Sequence, residues 1–440
     1  MDPTKARTKK PAPAFYAADP DPKNLPVDRR IDKIVSQYVH DLGPGAAVMV
    51  RQNNKVVHVN CYGFANLETE ERITPTTVFD LGSLSKQFTA LAAVEFLEAE
   101  LDVPISKTFR GLPRYADKIS VSDLIHHTSG LPDYMALHGA SRQVAKDWYK
   151  GALRTSDDWY PQMANRRERE LTNKDALRWI ASQKLLPHRP GFKFEYSNSG
   201  YVLLALLVER KTGKPLADVL KELVFDHLGM EDTYLFDVAR PFPQNAPQLV
   251  NHARCYNRVK ESVVPVGYTP LNFIYGDGNV HSTILDLAKW DLALHRLDYA
   301  TMCSRPETEN HCVKKFRDRI WKPVKVHNKQ VNYGAGWNLL RERNSEQVEE
   351  KGRKVTRRYE SSAEFHRGEW LAWRSYIARA TKGALSEDGK TIDPKTWQTL
   401  GIVVLTNDKQ LNACKVLQDI SQIFWGKLKK DNIMNRFNCA

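Results

Sequence analysis

The junction at Val78-Phe79-Asp80-Leu81-Gly82 constrains this chain more than any other stretch. It reads as a short extended run closed by glycine. Phe88, Leu91, Ala92, Val94, Phe96 and Leu97 then recur at broadly helical spacing, which predicts a buried helix. Ser83-Leu84-Ser85-Lys86 sits at the handover from strand to helix. Ser83 falls in the first helical turn and Lys86 one turn further on, so hydroxyl and amine share a face. A helix N-terminus favours negative charge on a serine oxygen. Apolar neighbours push a lysine toward its neutral form, and a neutral amine can take a proton. Alone, the same four residues also fit an N-cap serine followed by an exposed lysine.

A second element lies in Pro190-Gly191-Phe192-Lys193-Phe194-Glu195-Tyr196-Ser197-Asn198-Ser199-Gly200. Turn and loop residues give way to Val202–Val208, an apolar run that opens a buried helix. Tyr196 is thereby held at the mouth of a core helix. A phenol beside an ammonium loses its proton more easily and can serve as a base. Asn198 offers an amide that accepts from lysine and donates to a substrate carbonyl; read singly, it is also a helix N-cap. The third element, His366-Arg367-Gly368-Glu369-Trp370, reads as the end of a strand. Glycine there lets the backbone approach a ligand, and the amide of Glu369 can point into a cleft as an oxyanion donor.

Taken in order, Ser83-x-x-Lys86, Tyr196-Ser197-Asn198 and His366-x-Gly368 resemble the serine β-lactamase and penicillin-binding-protein superfamily, in its class C β-lactamase, esterase and D-aminopeptidase branch. Further phrases resemble the same branch: Gly43 to Val50 leading into a hairpin, His127-Thr128-Ser129-Gly130-Leu131-Pro132-Asp133-Tyr134, Gly276 to Thr283 and Tyr333 to Trp337. The likeness runs from about residue 30 to about residue 428. It implies an α/β, β-lactamase-like two-lobe fold, with an antiparallel sheet flanked by helices and an inserted, mostly helical lobe. The expected division is a loose N-terminal arm over residues 1–28, an α/β lobe from 29–100 and 265–440, and a helical lobe over 101–264. Gly401–Asn407 is expected to pair with the N-terminal hairpin, and Ala413–Trp425 to close the chain as a helix.

Length and composition fit a folded catalytic unit, since 440 residues suffice for two lobes and a large core. No apolar run is long enough for a membrane span. The first ten residues are polar and lack the apolar stretch of a secretory signal, which gives the expectation of a cytoplasmic protein. The six cysteines are scattered without CxxC spacing, so free thiols are expected, with Cys303 and Cys312 the pair weighed for a disulfide. No cofactor or metal is implied. The net charge of +13 invites a nucleic-acid reading, but each basic cluster has acidic neighbours, which points to solvated faces. A basic surface can still draw in an anionic substrate or an acyl carrier.

The resemblance implies acyl transfer: Ser83 attacks a carbonyl, Lys86 and Tyr196 manage the proton, and the backbone N–H groups of Ser83 and Glu369 hold the oxyanion. Asn198 steadies the lysine and the substrate. Two departures bear on substrate. A histidine, His366, stands where the β-lactamases and cell-wall peptidases usually carry a carboxylate-gripping lysine, and it is mostly neutral at pH 7. Arg374 is the nearby replacement cation to weigh against an ordinary surface arginine. Arg367 and Glu369 are bulkier and more charged than the usual residues there and are expected to narrow the cleft or to orient a polar substrate. The aromatics of Trp148–Tyr160 fit either an overhang of the cleft or helix packing. Three readings remain: a serine hydrolase of an ester, amide or small peptide; a biosynthetic transacylase using the same serine; and a catalytically silent scaffold.

Overall fold

The computed structural model describes residues 26–136, 171–236, 251–266, 270–296, 323–327, 329–350, 353–385, 396–426 and 432–439. The aromatic stretch from Trp148 to Tyr160, the N-terminal 25 residues, Cys303 and Cys312 lie outside them. The seven strands of the main sheet are β1 (Ala46–Gln52), β2 (Lys55–Tyr62), β3 (Tyr333–Gly334), β4 (Trp337–Glu350), β5 (Arg353–Trp370), β6 (Trp373–Ala384) and β7 (Gln398–Thr406). Their spatial order is β3-β4-β5-β6-β7-β1-β2, with every neighbouring pair antiparallel. The first hairpin turns at Asn53, in the left-handed region at φ 52°, and β1 zips onto β7 from Ala46↔Thr406 to Gln52↔Leu400. The pairing expected between the two chain ends is therefore present.

Central strands are apolar on both sides because both sheet faces are covered. Ala47 and Met49 of β1, with Val403 and Leu405 of β7, enter one core. Ala46, Val48 and Val50, with Ile402 and Val404, enter the other. Helices α1 (Val27–Val35) and α7 (Ala413–Trp425) pack on the second face through Ile31, Val35, Leu417 and Ile420. The first face meets α2 (Lys86–Leu97) and α5 (Asn198–Thr212), which pack on each other. These two helices are apolar nearly all round, as interior helices are. Helices α3 (Val121–Ile125) and α4 (Asn173–Ser182) pack on α5, and α6 (Ile284–Arg296) on β1 and β7.

A buried ionic knot fastens α6 to the sheet. Asp291, fully buried, takes Arg51 of β1 at 2.5 Å on Oδ2 and Arg379 of β6 at 3.3 Å on Oδ1. One disulfide corrects the free-thiol expectation: Cys414, in the first turn of α7, is bonded to Cys439. Cys61 and Cys255 are free. Their 25-residue separation hid the Cys414–Cys439 pair, because it matches no short spacing motif and is closed only when the tail folds back on α7. Among the described residues no helix is long and apolar enough to cross a membrane.

β5 overruns its neighbour. Pairing with β4 stops at Asn338↔Phe365, whereas pairing with β6 continues to Trp370↔Trp373. Residues 366–370 thus keep one strand partner and pack their other edge against the turn that carries Ser83.

Candidate active site

Phe79–Asp80 pairs with Val280–Ser282, and the chain then enters a 3₁₀ turn over Gly82–Ser85 before α2 begins at Lys86. Gly82 occupies the left-handed region at φ 51°, and its N–H donates to the Asp80 carboxylate at 2.8 Å. Ser85 is structural: its hydroxyl accepts from the Val280 N–H at 2.9 Å. Ser83 alone of the two serines is left partly accessible, on the cleft wall.

Lys86 is fully buried, and its Nζ meets Ser83 Oγ at 2.9 Å, Asn198 Oδ1 at 2.7 Å and the Asp277 carbonyl at 2.6 Å. The Asn198 amide is oriented by its other end, since Nδ2 donates to Asp133 Oδ2 at 2.9 Å and a carboxylate only accepts. Both Asn198 Oδ1 and the Asp277 carbonyl must therefore take N–H groups from Lys86. In the neutral amine those two hydrogens are spent there, and the lone pair faces the Ser83 hydroxyl. Burial pulls the lysine down to about 8, against the pull of Asp277 and Asp133 in the other direction. This is the geometry of a general base on a serine.

The Tyr196 loop is clasped by the His127–Tyr134 loop. The Glu195 N–H donates to the His127 carbonyl at 2.9 Å, and the Ser197 N–H to His127 Nδ1 at 3.2 Å. The His127 ring stacks under Tyr196 at 4.2 Å between centroids. Asp133 receives the Asn198 N–H at 3.2 Å at the start of α5, and the Tyr134 N–H meets Ser199 Oγ at 2.9 Å. Tyr196 lies 5.1 Å from Lys86 Nζ over its ring, with a buried hydroxyl that has no partner in hydrogen-bond geometry. Burial drives its pKa above the usual tyrosine range, and the neighbouring Ser83 hydroxyl offsets only part of that. Of the phenolate and the polarised phenol that the sequence allows, burial disfavours the phenolate. Proximity to lysine lowers a phenol's pKa in water, but here desolvation is the larger effect. Desolvation thus favours the phenol form of Tyr196.

At the strand end, period-two alternation sorts the side chains. His366, Gly368 and Trp370 face the Ser83 turn and the first core, whereas Phe365 faces the second core, stacked on Phe437, and Arg367 and Glu369 alternate to the same side. A Cβ at Gly368 would stand 2.0 Å from the Leu81 carbonyl, so only glycine lets β5 lie this close. The Glu369 amide nitrogen packs against Gly82, 2.8 Å from where that glycine's Cβ would be. His366 donates from Nδ1 to the Arg367 carbonyl at 2.6 Å, so its Nε2 accepts from Tyr333 at 3.0 Å. Both nitrogens are engaged, and burial lowers its pKa to about 3. It is a neutral strut.

Arg367 and Glu369 pair with each other at 3.7 Å; Arg367 does not line the Ser83 cleft, whereas Glu369 does. Arg374 sits opposite Glu369 in register and donates to the Leu371 and Trp373 carbonyls, so it is a turn brace outside the Ser83 cleft. The structure does bring together Ser83, Lys86, Tyr196, Asn198, His366, Gly368 and the Glu369 backbone. It adds Asp133, Tyr134 and Asp277, which the sequence placed inside motif phrases without a role. Asp277 Oδ2 accepts from the Tyr134 hydroxyl at 3.0 Å. The cleft is small, about 50 Å³, and its lining includes Ser83 and Asp277 together with the apolar Met135, Leu271, Ile274 and Trp370. Among the described residues no cluster of His, Cys, Asp or Glu could hold a metal.

This is the architecture of the β-lactamase-like proteins, and the chain belongs to the family described as Beta-lactamase, which matches it over residues 31–421. It is 27% identical over 345 residues to penicillin-binding protein 4* of Bacillus subtilis, covering 76% of this chain and 64% of that one. It is 33% identical over 208 residues to a D-aminopeptidase of Brucella anthropi, covering 45% and 35%. The chain thus spans less than two thirds of the length of these relatives. The octameric penicillin-binding protein homologue from Pyrococcus abyssi shares its fold, with a TM-score of 0.62 at 21% identity over 92% of this chain and 79% of that one. So does the D-amino acid amidase of Ochrobactrum anthropi SV3, with 0.56 at 18% over 89% and 98%.

Proposed function

We propose that this protein is a serine hydrolase that cleaves an amide, ester or small-peptide bond through an acyl-enzyme on Ser83. The observation that carries the reading is the buried Lys86 amine, aimed at Ser83 Oγ from 2.9 Å with its other donors committed to Asn198 and the Asp277 carbonyl. Lys86 takes the Ser83 proton as Oγ attacks the carbonyl carbon. The oxyanion forms between the backbone amides of Ser83 and Glu369. Tyr196, held as a phenol, passes a proton to the departing amine or alcohol and is reprotonated from Lys86. Water then attacks the acyl carbon, and Ser83 leaves with a proton returned through the same pair. Relatives named as penicillin-binding protein and D-aminopeptidase support the amide-bond reading.

Labelling with a fluorophosphonate and with a β-lactam, read by intact mass on wild type and Ser83→Ala, tests this. One adduct, lost in Ser83→Ala, is expected. Folded wild-type protein that takes up neither probe would sink the proposal.

A further inference from the structure

The back of β5 holds a second cavity, about 230 Å³ in volume. Arg367, Arg374 and Lys409 line it against the single carboxylate of Glu369, so its walls carry an excess of positive charge. The Cys414–Cys439 disulfide lines it too. A small reagent in this cavity can therefore touch the bond.

The disulfide holds down the tail that backs β5. That tail makes a 3₁₀ turn over Ile433–Arg436 and lies against β5 and β6. Phe437 stacks on Phe365 at 4.0 Å between ring centroids. Phe365 is the last β5 residue paired with β4, and residues 366–370 beyond it keep only β6 as a strand partner where they meet the Ser83 turn. The tail thus supports the strand where its second neighbour stops. Gln418 of α7 donates to the Met434 and Phe437 carbonyls, both at 3.0 Å, and Asn412 to the Cys439 carbonyl at 2.7 Å. The covalent link lies beside the last of these contacts.

We infer that the Cys414–Cys439 bond is a redox clasp on the oxyanion strand, opened by a carboxylate-bearing thiol that the basic cavity collects. Cys439 is the less buried of the pair, so the reagent thiolate attacks its Sγ. The S–S bond breaks with its electron pair on Cys414 Sγ, a leaving group that the start of α7 and the three cations favour as a thiolate. A second reagent thiolate attacks the reagent sulfur of the mixed disulfide, releasing Cys439 as a thiolate and the reagent as its own disulfide. Two electrons reach the protein and two reagent thiols are oxidised. Once the tail is freed, Phe365 loses its backing, and the Glu369 amide is held less firmly against the Ser83 turn. The effect on activity rests on the proposed role of Ser83; the reduction itself does not.

Reduction is read on the folded wild-type protein by alkylation and peptide mapping of Cys414 and Cys439. Three thiols are compared at low salt: 3-mercaptopropionate, 2-mercaptoethanol and cysteamine. Each rate is divided by that thiol's rate with bis(2-hydroxyethyl) disulfide, which removes differences in intrinsic nucleophilicity. The carboxylate thiol is expected to lead the ammonium thiol by at least about tenfold, and Lys409→Ala to shrink that lead about threefold. Fluorophosphonate labelling of Ser83 is expected to slow about fivefold on reduction, with Cys439→Ser held at the slow rate whether or not thiol is present. Hydrogen exchange at residues 366–370 is expected to quicken at least about fivefold. A bond that resists all three thiols in folded protein, equal normalised rates, or labelling and exchange that ignore reduction would overturn the inference. Should Cys439→Ser fail to fold, the reduced wild type still decides. Protein that takes no probe in either redox state removes the chemistry at Ser83 alone, and the reduction and exchange rates then decide the clasp.

Discussion

Two buried clusters in this molecule set carboxyl groups beside basic side chains to opposite ends. At Asp291 both carboxylate oxygens are matched by guanidinium groups, Arg51 and Arg379, and three elements are fastened at one point. At Lys86 the amine is matched but the carboxylates outnumber it, and Asp277 Oδ1 is left open. Arginine keeps its charge wherever it is buried, whereas lysine shifts its pKa. The first cluster is thus a fixed joint. The second is a group whose protonation can change during a reaction.

The largest effect that sharpens this contrast is Ser83→Ala, expected to lower turnover and probe labelling by a factor on the order of 10⁴ or more, with the melting temperature little changed. Next is Asp291→Ala, which strands two buried guanidinium groups and is expected to cost about 3–5 kcal/mol in urea unfolding. The labelling rate of Ser83 in its folded fraction should stay within about threefold of wild type, a normal range for a site distant from the change. If Asp291→Ala slowed labelling as much as it weakened the fold, the division between joint and reactive cluster would collapse. Smaller is the pH dependence. Protonated Lys86 cannot accept the Ser83 proton, so labelling should rise about tenfold per pH unit below the lysine's pKa of about 8 and level off above it. A rate that falls through that interval would mean the lysine acts in its charged form. Smallest is Arg374→Ala, expected to change kcat/KM for a neutral ester by less than about threefold, because this side chain braces the turn at Leu371–Trp373. A tenfold loss would return it to the cleft.

Much of this site was legible in the sequence because its parts are local. The i,i+3 serine and lysine, the asparagine at a helix start and the glycine at a strand end each state a geometry that a few residues can enforce. Ala413–Trp425 begins and ends where its apolar period and Gly426 say it should. What stayed hidden depends on distant residues. How far Tyr196 is desolvated could not be read locally, because His127 and Tyr333 pack against it from distant parts of the chain. Arg367, Glu369 and Arg374 could be placed only once the pairing with β6 fixed which way each one points. Asp277 lay in a recognised phrase, but its unfilled oxygen is visible only beside Lys86 and Tyr134. The free-thiol expectation failed for the same reason, since Cys414 and Cys439 meet only once the tail returns to α7.

The close approach of Gly368 to Leu81 has a consequence for how this cleft can be altered. A slip of β5 by one residue against β6 would carry every side chain of the strand end to the other face. Arg367 and Glu369 would then stand over Ser83, and a bulky side chain would meet the Leu81 carbonyl where only hydrogen now fits. The alignment of two strands therefore acts as a charge filter for the cleft, and the single position without a side chain is the detent that holds the filter in its setting.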